Sequence, residues 1–377
     1  MTSSCFVCGS PGEPIVHHPI SVTSESKVLG VSSTLETCTH CGHLFTTLPI
    51  DLERYYTHDY DATLTDSGFD EIVTLAGGEV VFRTDLDYGL FKASALKGLS
   101  HDAAIYEYGC GHGRILSRLA RDGFRNLTAF DVGERYREPL ARIIGLPRVH
   151  IGAEPRAGEF DLSCSFFALE HHPRPAAAFL HLAARTRVGG LVYVVVPNFL
   201  TNAVDLACAD HANHFSPTSF AELACASGLD VLSCDVTSNI GATVLIARNT
   251  GSGPRPLTTS DSQRELARRS ADPYVAHHRR LASLNDRLRS TAKICLYGAG
   301  FNAALVAATL QGREITCVFD ANPRKQGTVR FGARVLPPDA IVPGKFDDAT
   351  LVVCVNNRIA APIAEQCRPA FRDVVVV

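Results

Sequence analysis

The sequence contains no tryptophan and one methionine, and only 8% of its 377 residues are aromatic. Its formal net charge is −3 and it has no polybasic run, which argues against a nucleic-acid coat or a membrane-surface protein. No apolar stretch reaches the roughly 18–20 residues needed to cross a bilayer. The first residues also lack the basic and apolar regions of a secretory signal. We therefore expect a cytoplasmic protein with no membrane or nucleic-acid partner, while the oligomeric state stays open.

The composition provides material for several hydrophobic cores, with 46% hydrophobic and 20% charged residues. At about 150 residues per domain, the length predicts two or three domains. A segment rich in Gly, Pro, Ser and Thr marks a linker, and a charged helix is predicted after it. The predicted apolar side of that helix carries Leu266, Leu281, Leu284 and Leu288. The predicted parts are a zinc-binding module (1–62), a larger domain (63–250), the linker and helix (251–290) and a C-terminal domain (291–377).

Apolar strand-like segments alternate with helix-like segments in the larger domain. The strands include AAIYEYG, LTAFD, DLSCSFFAL and GLVYVVVPN. Strands that are apolar along their whole length are buried on both faces, which predicts a parallel sheet covered by helices. The same scheme recurs on a smaller scale after residue 291, in KICLYGAG, ITCVFD and LVVCVNN. The fold class is therefore predicted to be α/β, doubly wound, with a second and smaller Rossmann-like domain.

Two CxxC pairs lie near the start of the chain. Cys5 and Cys8 form the first pair, Cys38 and Cys41 form the second, and 29 residues separate the pairs. Each CxxC turn places two thiolates on one side of a tight loop, and two such turns complete the tetrahedron that Zn²⁺ prefers. Four thiolates leave no open coordination position, so the predicted zinc ion is structural. Because a segment of about 45 residues buries little core, the metal would supply much of its folding free energy.

A glycine-rich loop, EYGCGHG at residues 107–113, follows an apolar strand and precedes a predicted helix. Glycines let a loop pass close to a ligand, and the following helix offers free amides to negative groups. Asp131 ends the next strand, 22 residues beyond Gly109, where a carboxylate can accept both ribose hydroxyls of an adenosine. The NAD fingerprint requires GxGxxG, whereas Gly113 comes one position too early.

This loop resembles motif I of the class I S-adenosylmethionine-dependent methyltransferases. The resemblance implies that Gly109, Gly111 and Gly113 line the amino-acid end of the cofactor. It implies that Glu107 faces the ammonium group or a neighbouring water, and that Asp131 holds the ribose. A glycine turn without a ligand is the alternative interpretation.

The same resemblance extends to the loops after the third and fourth strands of the larger domain. Ala153 and Glu154 stand where this family often contacts adenine. Phe167, Ala168 and Leu169 would flank the sulfonium. The cofactor implied by the whole set is S-adenosyl-L-methionine.

Candidate catalytic residues follow the fourth and fifth predicted strands. Asp210 and His211 lie in a loop at the carboxyl end of the sheet, where ligands bind in open α/β folds. A histidine there can accept a proton at neutral pH, and a neighbouring carboxylate can orient its ring. His171 is the second candidate, and we expect it to shape the pocket rather than to act as the base. A purely structural role for these histidines is the alternative.

The order of the parts extends the resemblance to nearly the whole chain. A four-cysteine module, a methyltransferase domain and a C-terminal domain with YGAG at 297–300 and DANPRKQG at 320–327 resemble the C-methyltransferases of nucleotide-activated deoxysugars. In that family, a histidine in a Y-x-E-H loop before an F-S pair deprotonates the carbon beside a 4-keto group. His211 matches that base, Asp210 stands at the usual glutamate, and Cys208 stands at the usual tyrosine.

The resemblance implies S-adenosylmethionine-dependent C-methylation of a small keto substrate, a nucleotide-activated 4-keto-deoxysugar. O- or N-methylation of another small metabolite is an alternative, since it needs no enolate. The second glycine loop, residues 298–303 with Asp320 at the next strand end, leaves open an NAD-binding or non-enzymatic module. In the family interpretation this loop forms a wall for the substrate nucleotide, and Arg324 and Lys325 would meet a diphosphate.

Overall fold

The computed structural model describes residues 3–60, 70–75, 78–153, 155–310 and 312–377. Its N-terminal part consists mainly of short strands. The elements are β1 (Gly12–His18), β2 (Ser21–Val22), β3 (Val28–Leu29), β4 (Ser33–Cys38), β5 (Leu44–Thr47), α1 (Leu52–Arg54) and a π-helical turn at Tyr55–Asp59. Within the described residues, no helix is both long and apolar enough to cross a membrane.

The middle part contains the larger sheet and the helices that cover it. Its strands are β6 (Ile72–Thr74), β7 (Val80–Phe82), β8 (Ala104–Tyr108), β9 (Asn126–Asp131), β10 (Val149–Ile151), β11 (Phe160–Phe166), β12 (Thr186–Pro197), β13 (Asn213–His214), β14 (Leu229–Asp235) and β15 (Ala242–Asn249). Its α-helices are α2 (Arg83–Ser94), α3 (Arg114–Arg121), α4 (Arg137–Ile144), α5 (Pro175–Arg185) and α6 (Pro217–Ala226).

The larger sheet has seven strands in the order β10-β9-β8-β11-β12-β15-β14. The first five run parallel, as the apolar segments predict. β15 runs antiparallel to β12 and β14, two pairings that the sequence analysis did not foresee. Side chains pack on both faces, with Phe91 and Leu116 on one and Phe179 and Phe220 on the other. The predicted α/β class with a Rossmann-like parallel sheet is therefore confirmed.

The N-terminal sheet takes its last strand from the middle part of the chain. β1, β4 and β5 are antiparallel neighbours, and β13 completes the sheet by pairing with β5. Val22 in β2 also forms a bridge with Cys208. The loop between β12 and α6 is therefore held by two strands of the N-terminal part.

The C-terminal part repeats the strand–helix alternation, as predicted. Its elements are β16 (Lys293–Tyr297), α10 (Phe301–Thr309), β17 (Ile315–Phe319), β18 (Val329–Arg330), β19 (Ala333–Leu336), β20 (Phe346–Val353), α11 (Asn357–Cys367) and β21 (Phe371–Val376). The six strands are arranged in the order β18-β19-β17-β16-β20-β21. All neighbours are parallel except β18 and β19.

Three helices lie between β15 and β16: α7 (Asp261–Arg269), α8 (Asp272–Ala282) and α9 (Leu284–Arg287). Residues 250–260 contain no helix or strand. Leu281, Leu284 and Leu288 are buried as predicted, but Leu266 is 65% exposed, so that part of the prediction was wrong. The reason is that α7 ends at Arg269, and the chain restarts in α8 with a different face toward the core.

His18 connects the N-terminal sheet to α8. Its Nε2 lies 2.7 Å from the hydroxyl of Tyr274, and its ring lies 5.4 Å from the ring of His278. Burial lowers the pKa of His18 to about 3, helped by the positive charge that His278, His17 and His214 can carry. The ring is therefore neutral in the folded chain at neutral pH.

We expect the chain to lose stability as the pH falls below 6.5. In the unfolded chain His18 takes up a proton at its ordinary pKa of 6.5, whereas the folded chain excludes that proton until the pH approaches 3. Between pH 6.5 and pH 5 this difference amounts to at most about 2 kcal/mol. Denaturant titrations of His18→Gln should show a smaller pH-dependent loss of unfolding free energy. His17→Gln, which changes the adjacent exposed histidine, should keep most of the loss, because burial is the largest cause of the lowered pKa of His18. Equal losses in all three proteins would contradict the assignment.

Candidate functional site

The glycine loop connects β8 to α3 and is shaped by close packing. Gly109 and Gly113 adopt φ angles of +69° and +70°, in the left-handed region that favours glycine. A Cβ at Gly109 would lie 2.5 Å from the Cβ of Ala168, and one at Gly113 would lie 2.7 Å from a methyl group of Leu140. By contrast, a Cβ at Gly111 would meet no atom within 4 Å among the described residues. The backbone at Gly111 therefore faces open space, as a ligand-binding loop requires.

Two carboxylates flank this loop. Asp131 accepts hydrogen bonds from the backbone N–H groups of Gly111 (2.8 Å) and Gly133 (3.0 Å). Glu107 is buried, and its Oε2 has no hydrogen-bond partner among the described residues. Burial raises the pKa of Glu107 to about 8, with a further contribution from the charge of Asp131. Each oxygen of Asp131 keeps a second lone pair, so both groups can accept hydrogen bonds from a ligand.

Of the other residues predicted to bind the cofactor, all but Glu154 lie within the described part of the chain. Gly152 donates its N–H to the carbonyl of Asp131 (3.0 Å), which brings the exposed Ala153 beside that strand end. Glu154 lies outside the described residues. Phe167 follows β11 and has a φ of +51°, which is rare for a residue other than glycine. Ala168, the next residue, lies against Gly109 of the glycine loop, whereas Leu169 is fully buried.

His211 lies against Asp205 rather than Asp210. Its Nδ1 is 2.9 Å from Oδ1 of Asp205, and both side chains are buried. Burial opposes a charge on the ring, but the carboxylate of Asp205 outweighs this effect. The pKa of His211 is raised to about 9, with smaller contributions from Asp210 and Glu170. The pair resembles the histidine–carboxylate arrangements that orient a general base.

Asp210 has a different set of partners. Its carboxylate accepts hydrogen bonds from the backbone N–H (2.6 Å) and hydroxyl (2.7 Å) of Ser24, and from the hydroxyl of Tyr56 (2.9 Å). Burial alone would raise the pKa of Asp210, but the charges of His171 and His211 and the bonds from Ser24 lower it. Asp210 therefore anchors the loop to the N-terminal part of the chain.

His171 lies beside both His211 and Asp210. Its Nδ1 lies 2.6 Å from the hydroxyl of Tyr56, and its ring centroid is 4.7 Å from that of His211. Burial lowers the pKa of His171 to about 4, and the charge of His211 adds to this effect. The two neighbouring histidines thus differ in protonation at neutral pH: His211 is charged and His171 is neutral.

Two functional candidates were missed in the sequence. Asp205 stands in the same loop as His211, but a separation of six residues gives no periodic signal. Ser24 is 186 residues from Asp210, and no local pattern connects them.

Glu170 belongs to the candidate run that it forms with His171 and His172. It is buried and its Oε2 has no hydrogen-bond partner among the described residues, while burial raises its pKa to about 8.

The four predicted cysteines come together in one cluster. Their sulfur atoms all lie within 4.8 Å of one another, with Cys5 and Cys41 3.7 Å apart and Cys8 and Cys38 3.4 Å apart. Four thiolates around a zinc ion at about 2.3 Å are separated by about 3.8 Å. The cluster therefore fits a tetrahedral metal ion.

The second glycine loop has a similar backbone arrangement to the first. The N–H of Ala299 donates to Oδ2 of Asp320 (2.7 Å), as Gly111 donates to its own strand-end carboxylate. Nζ of Lys325 lies 3.7 Å from the position of a Cβ on Gly300, whereas Arg324 stacks on the ring of Phe82. Of the two predicted basic residues, Lys325 is therefore the one at the loop.

Comparison with known proteins identifies the middle part of the chain. Residues 91–234 match the family model of a methyltransferase domain. This range contains the glycine loop, Asp131 and His211. The middle part is therefore a methyltransferase domain, the protein is a methyltransferase enzyme, and the fold supports binding of S-adenosylmethionine. No protein of curated function matches the sequence.

Solved structures share part of the fold at low identity. A putative methyltransferase from Bacillus halodurans is 13% identical, with a TM-score of 0.36, over 43% of this chain and 98% of that one. An S-adenosylmethionine-dependent methyltransferase from Mesorhizobium loti is also 13% identical, with a TM-score of 0.36, over 43% and 99%. The 1,6-didemethyltoxoflavin-N1-methyltransferase of Burkholderia thailandensis is 19% identical, with a TM-score of 0.33, over 48% and 96%.

Proposed function

We propose that this protein transfers a methyl group from S-adenosylmethionine to a carbon atom of a small keto substrate, a nucleotide-activated 4-keto-deoxysugar. The observation that carries the proposal is the buried pair of His211 and Asp205 at the carboxyl end of the methyltransferase sheet. Transfer to oxygen or nitrogen requires no base able to remove a proton from carbon. A histidine whose basicity is increased by a carboxylate is suited to that step.

The residues at the first glycine loop are suited to bind S-adenosylmethionine. The unpartnered oxygen of Glu107 can accept a hydrogen bond from the ammonium group, and Asp131 can accept from the ribose hydroxyls. Gly111 leaves open space for the amino-acid end, and Ala168 packs on the neighbouring Gly109. When bound, this cofactor supplies an electrophilic methyl group on a sulfonium.

The proton transfer is assigned to His211. The C–H bond beside the keto group breaks, its proton moves to the ring of His211, and the electron pair forms the enolate. Asp205 stabilises the resulting imidazolium through Nδ1. The loop that carries His211 also lies near the cofactor site. The ring of His211 contacts that of His171, which lies three residues after Ala168, and Ala168 packs on Gly109 of the glycine loop. Exclusion of water favours the combination of an enolate with a sulfonium.

The C-terminal domain is proposed to bind the nucleotide of the substrate. Lys325 provides a positive charge near Gly300, at the start of α10. The domain also meets the methyltransferase domain directly, since Arg324 stacks on Phe82 and Asn322 donates to the carbonyl of Asp70. A diphosphate at this loop would lie on the side of the domain that faces the methyltransferase part.

Calorimetry tests the assignment of the two glycine loops. S-adenosylhomocysteine should bind at one site, and Asp131→Ala should weaken its binding at least about tenfold, because hydrogen bonds to a charged group are lost. Asp320→Ala is the matched control, since it changes the equivalent carboxylate of the second loop. It should leave the affinity unchanged. Binding of NAD, lost in Asp320→Ala and unaccompanied by binding of S-adenosylhomocysteine, would overturn the proposal.

Carbon transfer is tested by NMR of the product formed with a ¹³C-labelled methyl donor and a nucleotide-activated 4-keto-deoxysugar. A methyl signal bonded to carbon supports the proposal, and a signal bonded to oxygen or nitrogen contradicts it. His211→Gln should lower kcat at least about 100-fold.

The pH profile tests the protonation state of the base. Only the neutral ring can accept the proton, so kcat/KM should rise with pH, reach half of its maximum near pH 9 and level off above it. Asp205→Asn removes the charge that raises the pKa of His211, so the rise should shift to lower pH and reach a lower plateau. An unchanged profile in Asp205→Asn would contradict this role for the pair.

We propose that Cys5, Cys8, Cys38 and Cys41 hold a structural Zn²⁺ ion. Elemental analysis should find one zinc per chain, and Cys38→Ser should lose it, because three thiolates bind the ion more weakly. Cys225→Ser, at a cysteine outside the cluster, should retain it. Hydrogen exchange at β13 should accelerate in Cys38→Ser, since that strand pairs with the same sheet. Full zinc content in Cys38→Ser would exclude the four-cysteine site.

A further inference from the structure

The carboxylate of Asp205 is shared by two histidines. Its Oδ1 lies 2.9 Å from Nδ1 of His211, and its Oδ2 lies 3.3 Å from Nδ1 of His214. A carboxylate anion can only accept hydrogen bonds, so Nδ1 of His214 donates to it, whereas the ring of His211 faces it as the cation of an ion pair. Both oxygens of this buried group are therefore oriented by imidazole rings.

The second nitrogen of His214 reaches the N-terminal sheet. Its Nε2 lies 2.8 Å from the hydroxyl of Thr46, on β5. Burial lowers the pKa of His214, so the ring is neutral and carries its single proton on Nδ1. Nε2 therefore accepts, and Thr46 donates. A hydrogen-bonded chain therefore runs from Thr46 through His214 to Asp205, and the other oxygen of Asp205 forms an ion pair with His211.

We propose that Thr46 and His214 are positioning residues, which hold the carboxylate of Asp205 in the geometry that orients the ring of His211. The catalytic consequence of this inference rests on the proposed function. The hydrogen-bonded chain itself does not depend on the reaction. The pairing of β13, which carries His214, with β5, which carries Thr46, supports it. Thr46 also donates its backbone N–H to the carbonyl of Ala212 (3.2 Å), so the same residue fixes both the loop and the ring.

The direction of the expected effect follows from charge. The hydrogen bond from His214 spreads the negative charge of Asp205, which weakens the attraction between that carboxylate and the proton on His211. Loss of this bond should strengthen the attraction and make His211 more basic. The titratable groups that face His211 are Asp205, Asp210, Glu170, His171 and His214.

The chain offers matched variants for this test. His214→Leu removes both hydrogen bonds, whereas His214→Asn, of similar size, keeps an N–H group near the position of Nδ1. Thr46→Val removes the donor on β5. Thr47→Val is the control, because the hydroxyl of this adjacent residue donates to Glu36 (2.7 Å) instead.

The measurement is an NMR pH titration of the histidine side chains in the full-length, metal-loaded protein without substrate. The signal of His211 is identified by its absence in His211→Gln. His214→Leu should raise its midpoint by about 0.5–1 pH unit, and Thr46→Val should raise it by less. In His214→Asn and Thr47→Val, the titration midpoint of His211 should stay close to that of the unchanged protein. With substrate, His214→Leu should lower kcat more than it changes KM, and His214→Asn should restore part of the loss.

An unchanged midpoint in folded His214→Leu, with normal zinc content and affinity for S-adenosylhomocysteine, would overturn the inference. If His214→Leu does not fold, an unchanged midpoint of His211 in Thr46→Val would likewise overturn the inference. A shifted midpoint in a protein that methylates oxygen or nitrogen would support the hydrogen-bonded chain and reject the proposed reaction. The two failures are therefore distinguishable.

Discussion

The position of His211 depends on the pairing of a two-residue strand with a sheet from another part of the chain. β13 is too short to form a stable structure alone, so it exists because β5 provides its hydrogen-bond partners. Ser24 holds Asp210 on one side of the histidine, and Thr46 holds His214 on the other. The N-terminal part thus fixes the geometry of a loop in the methyltransferase domain.

The same loop separates the charge states of two adjacent histidines. His211 is buried and His171 is half-buried, and burial alone lowers the pKa of each. The carboxylate of Asp205 is in contact with His211, whereas His171 meets the neutral hydroxyl of Tyr56. A pair of titratable groups whose environments drive their pKa values apart is typical of acid–base sites. The difference supports the proposal that His211 transfers the proton and that His171 shapes the pocket.

Local patterns predicted those features that depend on residues close in the sequence. The parallel strands are apolar throughout because both faces of the sheet are covered, and the CxxC turns bring each cysteine pair together. The glycine loop is likewise a local feature of the sequence, because its glycines follow directly after an apolar strand and precede a helix. Asp205 and Ser24 were missed because their roles depend on tertiary contacts, over six residues in one case and 186 in the other. Leu266 was misplaced because periodicity does not show where one helix ends and the next changes direction.

Phe167 holds a left-handed backbone at the end of β11, and this has a thermodynamic consequence. A bulky side chain in that conformation costs on the order of 1–3 kcal/mol, which the surrounding contacts must offset. Glycine would adopt the same angles without that cost. The native state therefore lies closer to its unfolding threshold than the backbone requires, and the difference is the free energy of keeping an aromatic side chain at the end of β11.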